Sequence, residues 1–265
     1  STTSLASMFR ACTSLTLVGG INTWVITSAL SMSIMFLGCT SFNQTLTLNT
    51  SLVNDMSFMF QGCTAFNSPL NINTSAVTNM AAMLSNLTIF NQPLTSFSTA
   101  SVTNMSNMFV NSPAFNSSVS SFNTAAVTTM SGMFQGCTAF NQSVSSFNTA
   151  AVTDFTNMFL SASAFNQSVA SFSTASATTL LQMFFGASAF NQSVSSFSTA
   201  SVTSMAGMFN GASVFNQDVS GFTIAALTNA TNMFTSSGFN ITNYDKLLNA
   251  TTGWPSQATI NNGVV

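Results

Sequence analysis

A Met-Phe pair returns along the whole chain: Met8-Phe9, Met35-Phe36, Met59-Phe60, Met108-Phe109, Met133-Phe134, Met158-Phe159, Met183-Phe184, Met208-Phe209 and Met233-Phe234, with Met83-Leu84 completing the series. From Leu84 onward the step is 25 residues every time; before it the steps are 27, 24 and 24. A fixed period of this size means that each repeat is one coil, stable only against its neighbours, so the chain must form a stack. Counting from Phe134, apolar residues recur at Phe140, Val144, Phe147, Val152, Phe155 and Met158. Insertions and deletions fall between these positions, at Val18-Gly19-Gly20 and Ser236-Ser237-Gly238, which keeps the inward columns aligned.

Two local patterns fill each coil. Gln142–Phe147 sets single apolar residues among serines and reads as a strand, laid parallel to its equivalents. Val152–Phe159 spaces its apolar residues by three and four, which reads as a short helix, with Thr153 as N-cap and Asp154 at its positive end. The expected fold is therefore an α/β solenoid of about ten coils of ~25 residues, each with one short parallel strand and one short helix or turn. The repeats are expected over residues 1–239, the first coil degenerate, and a C-terminal capping segment over 240–265. In that segment a helix at Tyr244–Leu248, with Trp254 folded over the last coil, would cover its apolar end.

Charge narrows the function classes. Only 2% of the residues are charged, and there is no histidine; soluble domains average about 25%. Arg10 and Lys246 are the only basic side chains, far too few to neutralise a phosphate backbone, so no nucleic-acid partner is expected. No run of about 18 apolar residues exists to span a membrane, and the first residues carry no signal-peptide pattern. The Asp residues are scattered over different coils, with no metal-ligand set, phosphate loop or nucleophile–base pair, so neither catalysis nor a cofactor or metal is expected. Cys12, Cys39, Cys63 and Cys137 fall where other coils have Ala162, Ala187 and Ala212. That column is expected to be small and buried, holding thiols rather than a bridge among Cys12, Cys39 and Cys63.

Two kinds of polar column remain. Asn43, Asn67, Asn91, Asn116, Asn141, Asn166, Asn191 and Asn216, with Asn240 after them, each follow an inward aromatic residue. They are expected to form a structural ladder of amides bonded to the backbone. Several begin N-x-S/T sequons, but the better glycosylation candidates lie off this column at Asn104, Asn229 and Asn249. The stacked Thr99, Thr124, Thr149, Thr174 and Thr199, and the stacked Ser143, Ser168 and Ser193, could form flat hydroxyl rows suited to a glycan or to ice. The methionines (Met105, Met130, Met158, Met183, Met208) read as core.

Units such as AVTTMSGMFQGCTAFNQSVSSFNTA (Ala126–Ala150) resemble the repeat of BspA-like bacterial surface proteins, also called the DUF285 or lipoprotein 26-residue repeat. The V-T-x-M, M-F and F-N-Q elements carry the resemblance from Met8 to about Phe239, and NYDKLLNATTGWPSQ resembles the segment that often follows the last repeat. The resemblance implies a leucine-rich-repeat-like, right-handed stack on a surface or secreted protein, associated with adhesion. Two features depart from the family: its Trp survives as Trp24 and is otherwise Phe (Phe97, Phe122, Phe147), and its following Asp becomes Asn or Ser (Asn123, Asn148, Ser173).

The combined expectation is an extracellular or surface-displayed structural or adhesive repeat protein, on a cell or virion. Its partners would be copies of itself or another surface protein, joined in a fibre or layer. The alternative is a ligand-binding module that uses Ser/Thr rows for a glycan or ice. Because the chain opens inside a coil at Met8-Phe9 with no cap visible, copies are expected to associate end to end or side by side.

Overall fold

The computed structural model describes residues 4–24, 26 and 28–249. Its skeleton is one unbroken row of parallel β-bridges, one residue per coil: Ser4, Ser31, Asp55, Asn79, Asn104, Thr129, Asp154, Thr179, Ser204 and Asn229. Ten coils thus lie one on another, an arrangement that fits a repeat solenoid. The backbone within each coil differs from the expectation.

The Val152–Phe159 segment is not helical. The N–H groups of Phe155, Asn157, Phe159 and Ser161 donate to the carbonyls of Thr179, Leu181, Met183 and Phe185 in the next coil, at 3.4, 2.9, 2.9 and 2.6 Å. The intervening Met158, Leu160 and Ala162 donate back three residues, to Phe155, Asn157 and Phe159. Every second amide therefore joins coils, and every other amide closes a tight turn. Left-handed residues make this possible: Asn157 (φ 59°) and Ser161 (φ 57°) here, Gly132 and Gly136 one coil earlier, Gly207 and Gly211 two coils later. A residue of that conformation every fourth position cannot belong to an α-helix, and Gly and Asn adopt it at least cost. Thr153 is accordingly no N-cap; its N–H donates to the Thr128 carbonyl at 3.0 Å.

The segment read as a strand is corrected as well. Around Gln142–Phe147 the backbone closes a turn, Phe147 N–H to Val144 carbonyl at 3.0 Å. Among the described residues only Leu46 and Leu70 bridge at this level. The single inter-coil ladder of bridges runs through the segment read as helical.

Inside the coils two aromatic columns run side by side. In one, Phe109, Phe134, Phe159, Phe184, Phe209 and Phe234 repeat at centroid spacings of 5.6 to 5.8 Å. The other holds Phe115, Phe140, Phe165, Phe190 and Phe215, at 5.9 to 6.0 Å. The columns touch within each coil, as at Phe134–Phe140, 4.1 Å. Leu84 interrupts the first column. Met105, Met130, Met158, Met183 and Met208 are all fully buried beside it, where their flexible thioethers fill gaps between rings.

The stack ends at helix α1 (Ile241–Leu248). It starts three residues earlier than expected because Asn240, the last of the Asn column, accepts the Asn243 N–H on its side-chain oxygen at 3.1 Å and becomes an N-cap. Leu247 is buried and Tyr244 lies against the core. Asn243 donates to both the carbonyl and the side-chain oxygen of Asn216, each at 2.9 Å. Lys246 reaches Asp218 at 3.3 Å. The Asp218 carboxyl is held below its ordinary value chiefly by hydrogen bonds from the Ser220 side chain and backbone, with Lys246 adding less. Trp254 lies outside the described residues.

Candidate functional site

The asparagines form a continuous chain of bonds. The side-chain oxygen of each accepts the backbone N–H of the next: Asn67 N–H to Asn43 Oδ1, and so on through Asn91, Asn116, Asn141, Asn166 and Asn191 to Asn216 and Asn240, at 2.8 to 3.1 Å. In several coils the following Gln donates to the same oxygen, as Gln167 does to Asn141 at 3.1 Å. Here the amides replace the backbone pairing that the turn lacks.

The threonine row that could have offered a flat ligand face is internal. Thr99, Thr124, Thr149, Thr174 and Thr199 are at most 2% exposed. Each hydroxyl donates to a carbonyl of the next coil, such as Thr149 to Ser173 at 2.9 Å. A buried hydroxyl must find such a partner, and no ligand can reach it. Solvent instead meets a row that the sequence reading did not single out, one position before the bridging residue: Thr78, Thr103, Thr128, Thr153, Thr178, Thr203 and Thr228. Their hydroxyls donate backward along the stack, as Thr178 does to the Thr153 carbonyl at 3.2 Å. The signal was present as the Thr of each V-T-x-M element, but the helical reading assigned it to capping. The Ser row is exposed; Ser143 pairs with Ser145 and Ser193 with Ser195, both at 3.0 Å, while Ser168 accepts the Ala170 N–H at 3.3 Å.

The sequon asparagines off the ladder sit elsewhere. Asn104 and Asn229 are bridging residues whose side-chain oxygens accept the N–H two residues on, at 2.9 and 3.0 Å. Asn229 is exposed, Asn104 half-buried, and Asn249 is the exposed C-cap of α1.

All four cysteines are free thiols. Cys39, Cys63 and Cys137 are buried, each donating to a carbonyl of the preceding coil: Phe9, Phe36 and Phe109, at 2.9 to 3.0 Å. Cys12, in the first coil, is exposed, contrary to the expectation for its column. Burial pushes the thiols of Cys63 and Cys137 up to about 12, which suppresses the reactive thiolate. With an aromatic disulfide reagent at pH 8, Cys12 is expected to react promptly and the other three only after denaturation. Prompt reaction of Cys137 would contradict its placement.

Among the described residues no group of three or more His, Cys, Asp or Glu is close enough to hold a metal ion. No described helix is long and apolar enough to cross a membrane. What the coils present outward is a set of parallel hydroxyl and amide rows, almost without charge. This is the exterior of a tandem-repeat stack.

The family follows from the comparison with known repeats. A family model described as "Mycoplasma protein of unknown function, DUF285" matches three times in tandem, over residues 3–112, 94–180 and 171–252. The chain belongs to that family. No curated protein matches it, and no solved structure matches it.

Proposed function

We propose that this chain is a non-enzymatic structural repeat protein, displayed on a surface or outside the cell, whose work is association with copies of itself or with another surface protein. The observation that carries this reading is the direction of the inter-coil bonds. In the first nine coils the alternate N–H groups donate forward, and the equivalent groups of the last coil, Ala230, Asn232, Phe234 and Ser236, have no acceptor among the described residues. A row of forward-directed N–H groups spaced like a strand is a template for another chain. The near absence of charge supports the same reading, because like-charge repulsion normally keeps folded chains apart. Contact of such an edge with a different surface of a second copy is heterologous and closes into a ring or extends as a filament. The resemblance to BspA-like surface repeats, leucine-rich-repeat-like in form and adhesive in role, belongs to this proposal too.

Sedimentation over a wide concentration range tests it. Association should rise with concentration, and Thr231→Lys, which puts a charge on the exposed rim of that edge, should shift the equilibrium toward the 27.8 kDa monomer. A monomer at every concentration would overturn the self-association reading.

The alternative reading, a module that binds a glycan or ice along a hydroxyl row, now rests on the Thr78–Thr228 row. The exposure of seven threonines in register favours it.

A further inference from the structure

Beside Gly207 the surface opens into a notch of about 200 Å³, lined among others by Leu181, Gln182, Phe185, Asn210 and Asn232. The notch exists because of two local choices. Gly207 has no side chain, and a Cβ built there would meet Gln182 Cγ at 3.2 Å and Phe185 Cδ2 at 3.5 Å. The same column has a second glycine at Gly132, but there Asn107 leans into the space, its Oδ1 lying 2.2 Å from where a Cβ would sit. The shorter Asn fills one gap; the longer Gln182 and the ring of Phe185 frame the other.

The chemistry of the walls selects the ligand. Phe185 and Leu181, both half-buried, supply apolar surface. Among the described residues, the side-chain amides of Gln182 and Asn210 bond to no protein group. No charged side chain lines the notch, so an ion would lose hydration without gaining a counter-charge. A wholly apolar ligand would cover the amides and leave them unpaired, which is costly. A ligand with one C–H face and a rim of hydroxyls satisfies both walls, the face on an aromatic ring and the hydroxyls on amides that can donate and accept. The volume is below that of ordinary drug-sized pockets and suits one ring.

We propose that the notch over Gly207 binds a single neutral pyranose ring, with Phe185 as its apolar platform and Gln182 and Asn210 as its hydrogen-bonding walls. This site adjoins the association edge at Thr231 and Asn232, is separate from the hydroxyl rows, and is complete in one copy of the chain.

The test is a heteronuclear NMR titration of the full chain, kept dilute, with glucose, mannose, galactose and N-acetylglucosamine, each up to about 50 mM. At least one should give saturable shifts of the Leu181, Phe185, Gly207 and Asn210 amide signals, with a dissociation constant of about a millimolar, as a shallow one-ring site allows. Phe185→Ala should weaken that binding by about tenfold or more. Leu160→Ala, in the same column one coil earlier and outside the notch, should leave it unchanged. If Phe185→Ala does not fold, Gln182→Ala decides alone, with the same loss expected. No saturable shift with any of the four sugars, binding that survives both Phe185→Ala and Gln182→Ala, or shifts spread along the Thr78–Thr228 row would each overturn the proposal.

Discussion

Replacing Phe140 with Ala should cost about 3–5 kcal/mol and loosen the coils on both sides of it. Phe140 is fully buried. Its ring touches Phe134 in its own coil at 4.1 Å and stacks on Phe115 and Phe165 in the adjacent coils at 5.9 and 6.0 Å. Removing it opens a cavity in the middle of a column that cannot close without bending the backbone bonds between coils. In a stack each coil is stable only through its neighbours, so the damage should spread beyond one repeat. Urea unfolding measures this as a fall in the midpoint, and a change in its slope would mark the split of one cooperative unit into two. A loss below about 1 kcal/mol would mean that the aromatic columns do not hold the stack together.

The second large effect concerns the amide ladder. Asn141→Ala should destabilise by about 1–3 kcal/mol, because it removes the acceptor of two hydrogen bonds, each worth about 0.5–1.5 kcal/mol net. That N–H donates to Asn141 Oδ1 at 3.0 Å, and Gln167 donates to the same atom at 3.1 Å. Asn141→Asp keeps an oxygen in place and should recover most of the loss, since a carboxylate accepts both bonds. Thermal unfolding of the three proteins, made without glycosylation, decides it. An Asp variant no better than the Ala variant would show that the oxygen acceptor is not what the column contributes.

The stacking, the phase of the inward columns and the role of Phe and Met were legible because a period of 25 residues with fixed apolar positions leaves few alternatives. The path of the backbone between those positions was not. Apolar spacings of three and four in Val152–Phe159 match a helix, and they match equally well a run of tight turns that returns an apolar residue inward every three or four positions. The residues that distinguish the two were in the sequence: Gly132 and Gly136, Asn107 and Asn111, Gly207 and Gly211 stand four apart in equivalent places, and all have positive φ. Two columns rich in Gly and Asn at that spacing signal left-handed turns. Reading them would also have moved the bridge ladder to Thr129, Asp154 and Thr179. From that follow the burial of Thr149 and its equivalents and the exposure of the Thr128 and Thr153 row. The notch at Gly207 could not be foreseen from spacing, because it depends on the lengths of Asn107 and Gln182 beside two otherwise equivalent glycines.

Amide hydrogen exchange of the last coil tests the proposal of association most directly. The N–H groups of Ala230, Asn232, Phe234 and Ser236 have no acceptor among the described residues, whereas their equivalents Phe155, Asn157, Phe159 and Ser161 bond to the next coil. In dilute solution the first four should exchange fast and the second four slowly. At concentrations where the chain associates, the first four should become protected as a second copy supplies their carbonyl partners. Rapid exchange of Ala230, Asn232, Phe234 and Ser236 in the associated state would contradict association through this edge.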